Sequence, residues 1–307
     1  MLQTFPELFM RSGRYEARIA PNAGGRVTRL SWVDDEGNPV QLLVPLSDPS
    51  FDSHQWPKAG AFPMIPFANQ LPDAGIFTKL EWSEIVSSSA SGRQHGLAHR
   101  RAWAVKSANQ SHVHLSFTHD LVSVDWPWRF SAEMEVGLND HGMTVELRLT
   151  NHAAQAMPAA MGWHPYHPLE SLPADASELV FEANQTVPLD DAGRSFPRHE
   201  WAPFSSFPPL KTFLATTAFS DWKHAASLKT NLNLDIKIGG RGWENLVVHR
   251  PVSGEYICVE PVTLLPGTIG QNLEPNGLGI LLPGKTLTAV WTCAACTPIA
   301  HGSHLMS

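Results

Sequence analysis

The sequence predicts an all-β protein built from two large packed sheets. Charged residues make up only 17% of the 307 residues, while 25 prolines and 22 glycines are present. This composition favours many short strands and turns over long surface helices. Apolar and polar residues alternate in segments spread along the whole chain, as in half-buried strands. Alternating strand and helix patterns, which are typical of α/β proteins, are missing from the sequence.

The first part of the chain predicts a hairpin followed by an ordered loop. Residues 15–19 and 26–32 have strand character and flank a turn at 21–25, and residues 40–46 predict another strand. Residues 61–77 contain three prolines and no helical period. They therefore predict a loop of the kind that lines pockets.

The central part predicts strands at 113–117, 134–138 and 143–149, where apolar residues alternate with polar ones. The turn NDHG at 139–142 joins the last two strands as a hairpin. Between Met161 and Leu169 the sequence reads MGWHPYHPL. Its two prolines remove backbone donors, so this stretch is expected to be unsuited to a helix or a central strand.

The last part predicts several strands and one weakly defined segment. Residues 214–228 predict one short helix, whereas the alternation over 232–238 is the most regular in the chain. Further strands are predicted at 178–183, 246–249, 256–259, 279–282 and 286–291.

Charge and composition exclude several classes of protein. The net charge is −7 and no block of Lys and Arg occurs, which argues against a nucleic-acid partner. Three cysteines, an odd number, argue against a disulfide framework. No apolar run is long enough to span a bilayer, and no signal-peptide pattern opens the sequence. We expect a cytoplasmic protein without a membrane partner, one domain over 1–301, and an artificial tail over 302–307.

Two residues are candidates for acid and base chemistry. His164 lies between Trp163 and Pro165, and its pKa near neutrality permits either role; the alternative is a packed structural histidine. Glu260 follows the predicted strand at 256–259, where burial would raise its pKa and make it a base near neutral pH. The alternative is a glutamate at a strand end that pairs with an arginine.

Other polar and aromatic residues are candidates for binding. His95 precedes a glycine, which allows a sharp turn that exposes the imidazole. Asp221 either binds hydroxyl groups or is a solvated loop residue. Trp163 and Trp222 are candidates for stacking on sugar rings. The histidine pairs lack a third ligand nearby, so no metal site is predicted.

Four sequence blocks, PFANQLPDAGIF, QHGLAHRRAW, GWHPYHPL and CVEPVT, together resemble the aldose 1-epimerase family of galactose-mutarotase-like proteins. The resemblance runs from about residue 24 to about residue 291. It implies a β-supersandwich of large antiparallel sheets that interconverts the α and β anomers of a free aldose. The implied substrate is a small sugar, and neither a cofactor nor a metal is needed.

The resemblance also implies roles for individual residues. His164 matches the family's general acid, Glu260 its general base and His95 its second histidine, near the ring oxygen. Asp221 matches the substrate-binding aspartate loosely. The other residues expected to bind substrate are Asn69, Gln70, Trp163 and Tyr166.

Two positions depart from the family pattern. Gln70 replaces the arginine that usually follows the asparagine, so a charge is lost there. His167 replaces a common phenylalanine. These departures leave two alternatives open: a non-catalytic sugar-binding or regulatory protein on the same fold, and an epimerase for a sugar phosphate, against which the acidic net charge counts.

Overall fold

The computed structural model describes residues 3–47, 50–51, 57–71, 94–120, 126–169, 177–229, 234–270 and 279–297. These residues form 23 strands, most of them in two antiparallel sheets of eleven and eight strands. Short 3-10 helices occur at Pro21–Ala23, Ala98–Arg100 and Arg198–Glu200. Within the ranges given above, no helix is long and apolar enough to cross a membrane. The all-β prediction is confirmed.

The eleven-stranded sheet contains, in spatial order, β16 (Ala202–Pro203), β15 (Gln185–Val187), β17 (Thr216–Ser220), β20 (Asn245–His249), β21 (Tyr256–Val262), β13 (Gly162–Pro168), β7 (Ala61–Met64), β4 (Arg26–Val33), β3 (Tyr15–Ala20) and β2 (Leu8–Ser12), with β5 (Pro39–Gln41) paired to β4.

The eight-stranded sheet contains β14 (Glu178–Phe181), β18 (Ala225–Lys229), β19 (Asp235–Arg241), β23 (Thr286–Cys296), β11 (Gly142–Asn151), β10 (Phe130–Asn139), β9 (His112–His119) and β8 (Ala104–Ala108). Two small pairs complete the described strands: β1 (Gln3–Thr4) with β6 (Ser50–Phe51), and β12 (Met157–Pro158) with β22 (Ile280–Leu281).

The main core lies between the two large sheets, and side-chain alternation along the strands fills it. On β10 and β11 every second residue is buried, as the sequence pattern predicts. Trp163 of β13 packs against Trp291 of β23, with ring centroids 5.6 Å apart. This contact joins the middle of one sheet to the middle of the other.

The opposite face of the eleven-stranded sheet carries a second cluster of buried side chains. Phe62 of β7, Tyr166 of β13 and Cys258 of β21 belong to it, together with Val247 of β20. Because successive strand residues point to opposite faces, residue 164 shares this face with Tyr166, and residue 260 shares it with Cys258. The sheet therefore presents polar residues 164 and 260 away from the main core.

The prediction for residues 161–169 is wrong. This segment forms β13, a central strand between β21 and β7. The prolines are tolerated because neighbouring residues supply the hydrogen bonds; the N–H of Tyr166, for example, donates to the carbonyl of Gly60 at 2.9 Å. Sequence rules that exclude proline from central strands overlook such local exceptions.

The loop predicted over residues 61–77 begins with a strand instead. Residues 61–64 form β7, which lies between β13 and β4 and contains Pro63. The remainder, up to residue 71, follows without further strands, and residues 72–77 lie outside the described ranges. The apolar character of this segment thus reflects burial in the sheet as well as loop packing.

Two other predictions need correction. Residues 214–228 do not form a helix, since they contribute β17 and β18 to different sheets, where strands on both sides satisfy the backbone. The strand predicted at 40–46 stops after Gln41. There the N–H groups of Leu42 and Leu43 both donate to Leu30, and the N–H of Val44 donates to Tyr166 on another strand. The backbone therefore leaves β4 at this point.

The hairpin of β10 and β11 is confirmed, with Asn139 opposite Gly142. The strand predicted at 232–238 is confirmed from Asp235 onward, whereas residues 232–233 lie outside the described part of the chain. The proposed extent of the domain, 1–301, stays a prediction, and residues 302–307 are not described.

Candidate active site

The pairing of β13 with β21 brings His164 opposite Glu260. The ladder pairs Gly162 with Val262 and resumes at Tyr166, and one register covers both stretches. Pro165 follows His164, and Pro261 follows Glu260. Because proline has no N–H group, these residues interrupt the hydrogen bonds that would otherwise run between the two strands at this point. The site is thus built on rigid sheet rather than on loops.

His164 and Glu260 form a close buried pair. Nε2 of His164 lies 3.4 Å from Oε1 of Glu260, and the two residues are 6% and 2% exposed. The side-chain amide of Asn69 donates to Oε2 of Glu260 at 3.1 Å. Both carboxylate oxygens therefore face a polar group, and the orientation of the carboxylate is fixed.

His95 joins this pair through an unusual turn. Its backbone has a φ of 66°, in the left-handed region, and its N–H donates to the carbonyl of Asn69 at 2.9 Å. Its ring meets the His164 ring edge-on, with centroids 4.9 Å apart. The next residue, Gly96, also has a positive φ, and a Cβ there would lie 2.1 Å from the carbonyl oxygen of Ile65. Only glycine fits, which explains the HG dipeptide.

Aromatic rings hold His164 in place. Its ring packs on Phe62 and on Tyr166, with centroid distances of 4.7 Å in both cases. Phe62 also packs on His99, at 5.1 Å. Nδ1 of His99 lies 3.1 Å from the carbonyl oxygen of His95. His99 therefore supports the turn that presents His95.

Burial shifts the pKa values of the acid and base candidates in opposite directions. It raises the pKa of Glu260 to about 8, although the hydrogen bond from Asn69 and the positive charge of Lys58 act the other way. Burial holds the pKa of His164 well below its usual value. It also lowers the pKa of His95 to about 3, so that this imidazole is neutral at pH 7.

In this environment, the pair of His164 and Glu260 retains one proton near neutral pH, and burial favours its location on the carboxyl group. The separation of 3.4 Å allows the same proton to be placed on the imidazole when a polar ligand stabilises the charged forms. A buried pair that holds one movable proton is suited to give a proton to one oxygen and take one from another.

Two predicted binding residues lie elsewhere. Trp163 is fully buried and contacts Trp291 between the sheets, because it alternates with His164 along β13. That placement does not fit the predicted stacking of Trp163 on a sugar held by His164. Asp221 follows β17 with a φ of 52° and accepts a hydrogen bond from Asn184 at 3.0 Å. It makes no direct contact with the acid–base pair in the described structure.

The structure shows the surroundings of Gln70 and His167, the two residues that depart from the family pattern. Gln70 accepts the N–H of Gly267 on its backbone carbonyl, and its side chain lies beside Gly193. His167 points into the main core, where Nδ1 contacts the carbonyl oxygen of Leu42 at 2.8 Å. His167 is therefore separated from His164 by the sheet and does not act on the same ligand.

Arg26 packs against Phe62 of the candidate site. It is fully buried, donates to the carbonyl of Ala59 at 2.6 Å and lies over the Phe62 ring at 4.5 Å. Besides burial, the positive charge of Arg26 also lowers the pKa of His164.

Sequence reasoning missed several residues of the site. Nothing in the sequence marks Phe62 and His99 as residues of the site, except that they lie close to the motif blocks. Cys258 could have been found, since it precedes Glu260 by two residues in a predicted strand and must share its face. Lys58 is an exposed lysine whose charge lowers the pKa values of His164 and Glu260, so it lies near the pair.

A separate cavity of about 660 Å³ is lined mainly by apolar residues that include Leu264 and Leu281. Among the described residues that line it, Glu244 is the one ionisable group, so these residues offer no acid–base pair. The chemistry places the candidate active site at His164 and Glu260 rather than here.

Comparisons with known proteins identify the family of this chain. A family model described as aldose 1-epimerase matches residues 8–292. The uncharacterised protein YphB of Escherichia coli K12 is 23% identical over 213 residues, which cover 64% of this chain and 69% of that protein.

Solved structures show the same fold. A galactose mutarotase-like protein from Clostridium acetobutylicum superposes with a TM-score of 0.77 at 16% identity, covering 97% of this chain and 99% of that one. A GalM/aldose epimerase homologue from C. elegans gives 0.75 at 14% identity, covering 96% and 99%. With the family model matched along nearly its whole length, this chain belongs to the aldose 1-epimerase family.

Proposed function

We propose that this protein is an aldose 1-epimerase that interconverts the α and β anomers of a free, neutral hexose or pentose. The observation that carries the proposal is the buried pair of His164 and Glu260, 3.4 Å apart on neighbouring strands. The family resemblance assigns acid and base roles to these two residues, and their geometry supports that assignment. The roles of the individual residues are part of the proposal.

The reaction moves one proton onto the sugar ring oxygen and takes one from the anomeric hydroxyl. Glu260 accepts the hydroxyl proton while His164 donates a proton to the ring oxygen, and the bond between C1 and the ring oxygen breaks. The open-chain aldehyde rotates about the C1–C2 bond. Ring closure on the other face then reverses both proton transfers, so the pair regains its starting state.

Asn69 and His95 assist in different ways. Asn69 holds Oε2 of Glu260, which leaves Oε1 for proton transfer. His95 is neutral at pH 7 because burial lowers its pKa to about 3, so it acts as a hydrogen-bonding group rather than as a proton source. Neutral hydrogen-bonding partners suit a neutral sugar.

Polarimetry of freshly dissolved α-anomers tests the proposal. The panel contains glucose, galactose, arabinose, xylose and fucose, and the spontaneous rate is subtracted. We expect protein-dependent acceleration with at least one sugar. Acceleration with none of them, in protein shown to be folded, would refute the epimerase assignment for this panel.

The variant Glu260→Gln tests whether this pair does the chemistry. It preserves the shape and the hydrogen bond to Asn69 but removes the base, so the rate should fall by about 10²–10⁴-fold. Glu244→Gln, in the separate cavity, makes the same chemical change as a control and should leave the rate unchanged. A near-normal rate for Glu260→Gln would remove Glu260 from the mechanism.

One observation favours a second function, a non-catalytic sugar-binding protein. The position that carries an arginine in the family is Gln70. A binding protein needs no charge at this point. Saturable binding of an α-anomer by calorimetry, without any acceleration of mutarotation, would select this second function.

A further inference from the structure

Cys258 is a third reactive group beside the acid–base pair, and the proposed reaction does not use it. It precedes Glu260 by two residues on β21, so both side chains point to the same face of the sheet. Its thiol is fully buried. One ligand atom each from His164, Cys258 and Glu260 lie within 4.8 Å of one another. The three groups therefore converge on one small volume.

The spacing of these atoms suits a metal ion. Zinc takes imidazole, thiolate and carboxylate ligands at roughly 2.0–2.3 Å in a tetrahedron, which separates neighbouring ligand atoms by about 3.3–3.7 Å. The distance of 3.4 Å between Nε2 of His164 and Oε1 of Glu260 already has this size. A shift of about 1 Å or less by the Cys258 side chain would complete the three-ligand set.

The surroundings also fit a metal ion. The ligands stand on two adjacent strands in the middle of a sheet, so the backbone holds their spacing. One thiolate and one carboxylate balance the charge of a divalent ion, which a buried site requires. Sulfur and imidazole ligands favour zinc and similar transition metals over magnesium or calcium. Three protein ligands leave a fourth position for water or a hydroxyl group.

We propose that His164, Cys258 and Glu260 form a binding site for Zn²⁺, and that the bound ion blocks anomer interconversion. Binding follows from the three ligands alone. The block rests on the proposed function, because the ion occupies Nε2 of His164 and an oxygen of Glu260, the atoms assigned to proton transfer. The metal is thus an inhibitor of this site and not its cofactor.

Titration of the full chain with Co²⁺ tests the binding, because cobalt bound to a thiolate gives a charge-transfer absorption band. All measurements use a Cys296→Ser background, which removes the one exposed cysteine of the described residues. We expect a thiolate-to-cobalt band that saturates at one equivalent and disappears when Zn²⁺ is added. The absence of a saturable band in this folded protein would overturn the proposal.

Variants identify the ligand. Cys258→Ser should abolish the band and weaken Zn²⁺ binding by at least about tenfold, since a lost direct ligand costs no less than a lost supporting contact. If the Cys258→Ser variant does not fold, as judged by circular dichroism, the variant Cys258→Ala is used instead. Cys293→Ser, at the other buried cysteine, should retain the band. A band that survives the loss of Cys258 would also overturn the proposal.

Inhibition is measured on the same proteins by polarimetry. Zn²⁺ should abolish the acceleration, a chelator should restore it, and Cys258→Ser should remain active at Zn²⁺ concentrations that inhibit the parent. A cobalt band in protein that never accelerates mutarotation would support the metal site and refute the proposed function. Activity that persists with one equivalent of bound metal would refute the proposal that the metal inhibits the reaction.

Discussion

At the residue scale, burial decides where protons reside in the candidate active site. The carboxyl group of Glu260 loses solvation and its pKa rises to about 8, whereas the pKa of the His164 imidazole falls. Together the two groups keep one proton over a wide pH range, although each alone would titrate differently in water. The pair therefore retains this proton across neutral pH.

The number of protons that the pair of His164 and Glu260 holds predicts the pH dependence of activity. Below a pH of about 8 the pair holds one proton, and above it the proton is lost, so no acid remains to protonate the ring oxygen. We expect kcat/KM to fall on the alkaline side with an apparent pKa near 8 and to stay level down to well below pH 6.5. Polarimetric rates corrected for spontaneous mutarotation measure this profile. A level profile through pH 9 would contradict it.

Asn69 tunes the same equilibrium. Its hydrogen bond to Glu260 lowers the pKa of that carboxyl group, so Asn69→Ala should move the alkaline limb to higher pH and reduce kcat. Asn38→Ala removes a similar amide–carboxylate hydrogen bond, to Asp34 in an exposed turn, and serves as the control. An alkaline limb that moves equally in both variants, or in neither, would argue against the role of Asn69.

At the scale of elements, the turn at His95 and Gly96 connects the strand framework to the site. Backbone hydrogen bonds join residues 95 and 97 to the segment that follows β7, and Gly96 lies against the carbonyl of Ile65. The position of the His95 ring thus depends on a close backbone approach that no side chain at residue 96 would permit.

Gly96→Ala tests this dependence. Its Cβ would meet Ile65 at 2.1 Å, whereas Gly37 also has a positive φ but has nothing within 4 Å of its Cβ position. Gly37→Ala should therefore cost about 1 kcal/mol of unfolding free energy, and Gly96→Ala should cost about 2 kcal/mol more and reduce activity. Denaturant unfolding measures both. Equal costs would mean that the backbone approach is looser than the structure shows.

At the scale of the whole molecule, two sheets share one core, and the site lies on the far face of the larger sheet. Trp163 and Trp291 connect the sheets through this core, while His164 faces the other way. Stability and chemistry are therefore separated by the thickness of one sheet, although they arise from adjacent residues of β13.

Trp163→Phe distinguishes the core role from a sugar-stacking role. It should lower the unfolding free energy by about 1–3 kcal/mol and leave KM unchanged, because the indole does not reach the site face. Trp291→Phe removes the other half of the same contact and should behave alike. A raised KM for Trp163→Phe alone, measured by polarimetry, would restore the stacking role.

Much of the fold could be predicted because side-chain alternation is local. The hairpin of β10 and β11 is visible as alternating apolar residues, and residues 256–259, the first part of β21, are visible as a short apolar run. The motif blocks identify the family. His164 and Glu260 were found in the same way, since each lies in a short motif whose resemblance carries a role.

Other features depend on contacts between residues far apart in the chain. Sequence patterns favoured a loop at 61–64 and a helix within 214–228, yet neighbouring strands supply the backbone partners that make both segments β. The sequence by itself determined the fold class and the family, and it predicted His164 and Glu260 as the acid–base pair. Only the tertiary structure decided that Trp163 belongs to the core, that Cys258 joins the pair, and that burial drives the two pKa values apart, because each depends on which side chains exclude water from a shared volume.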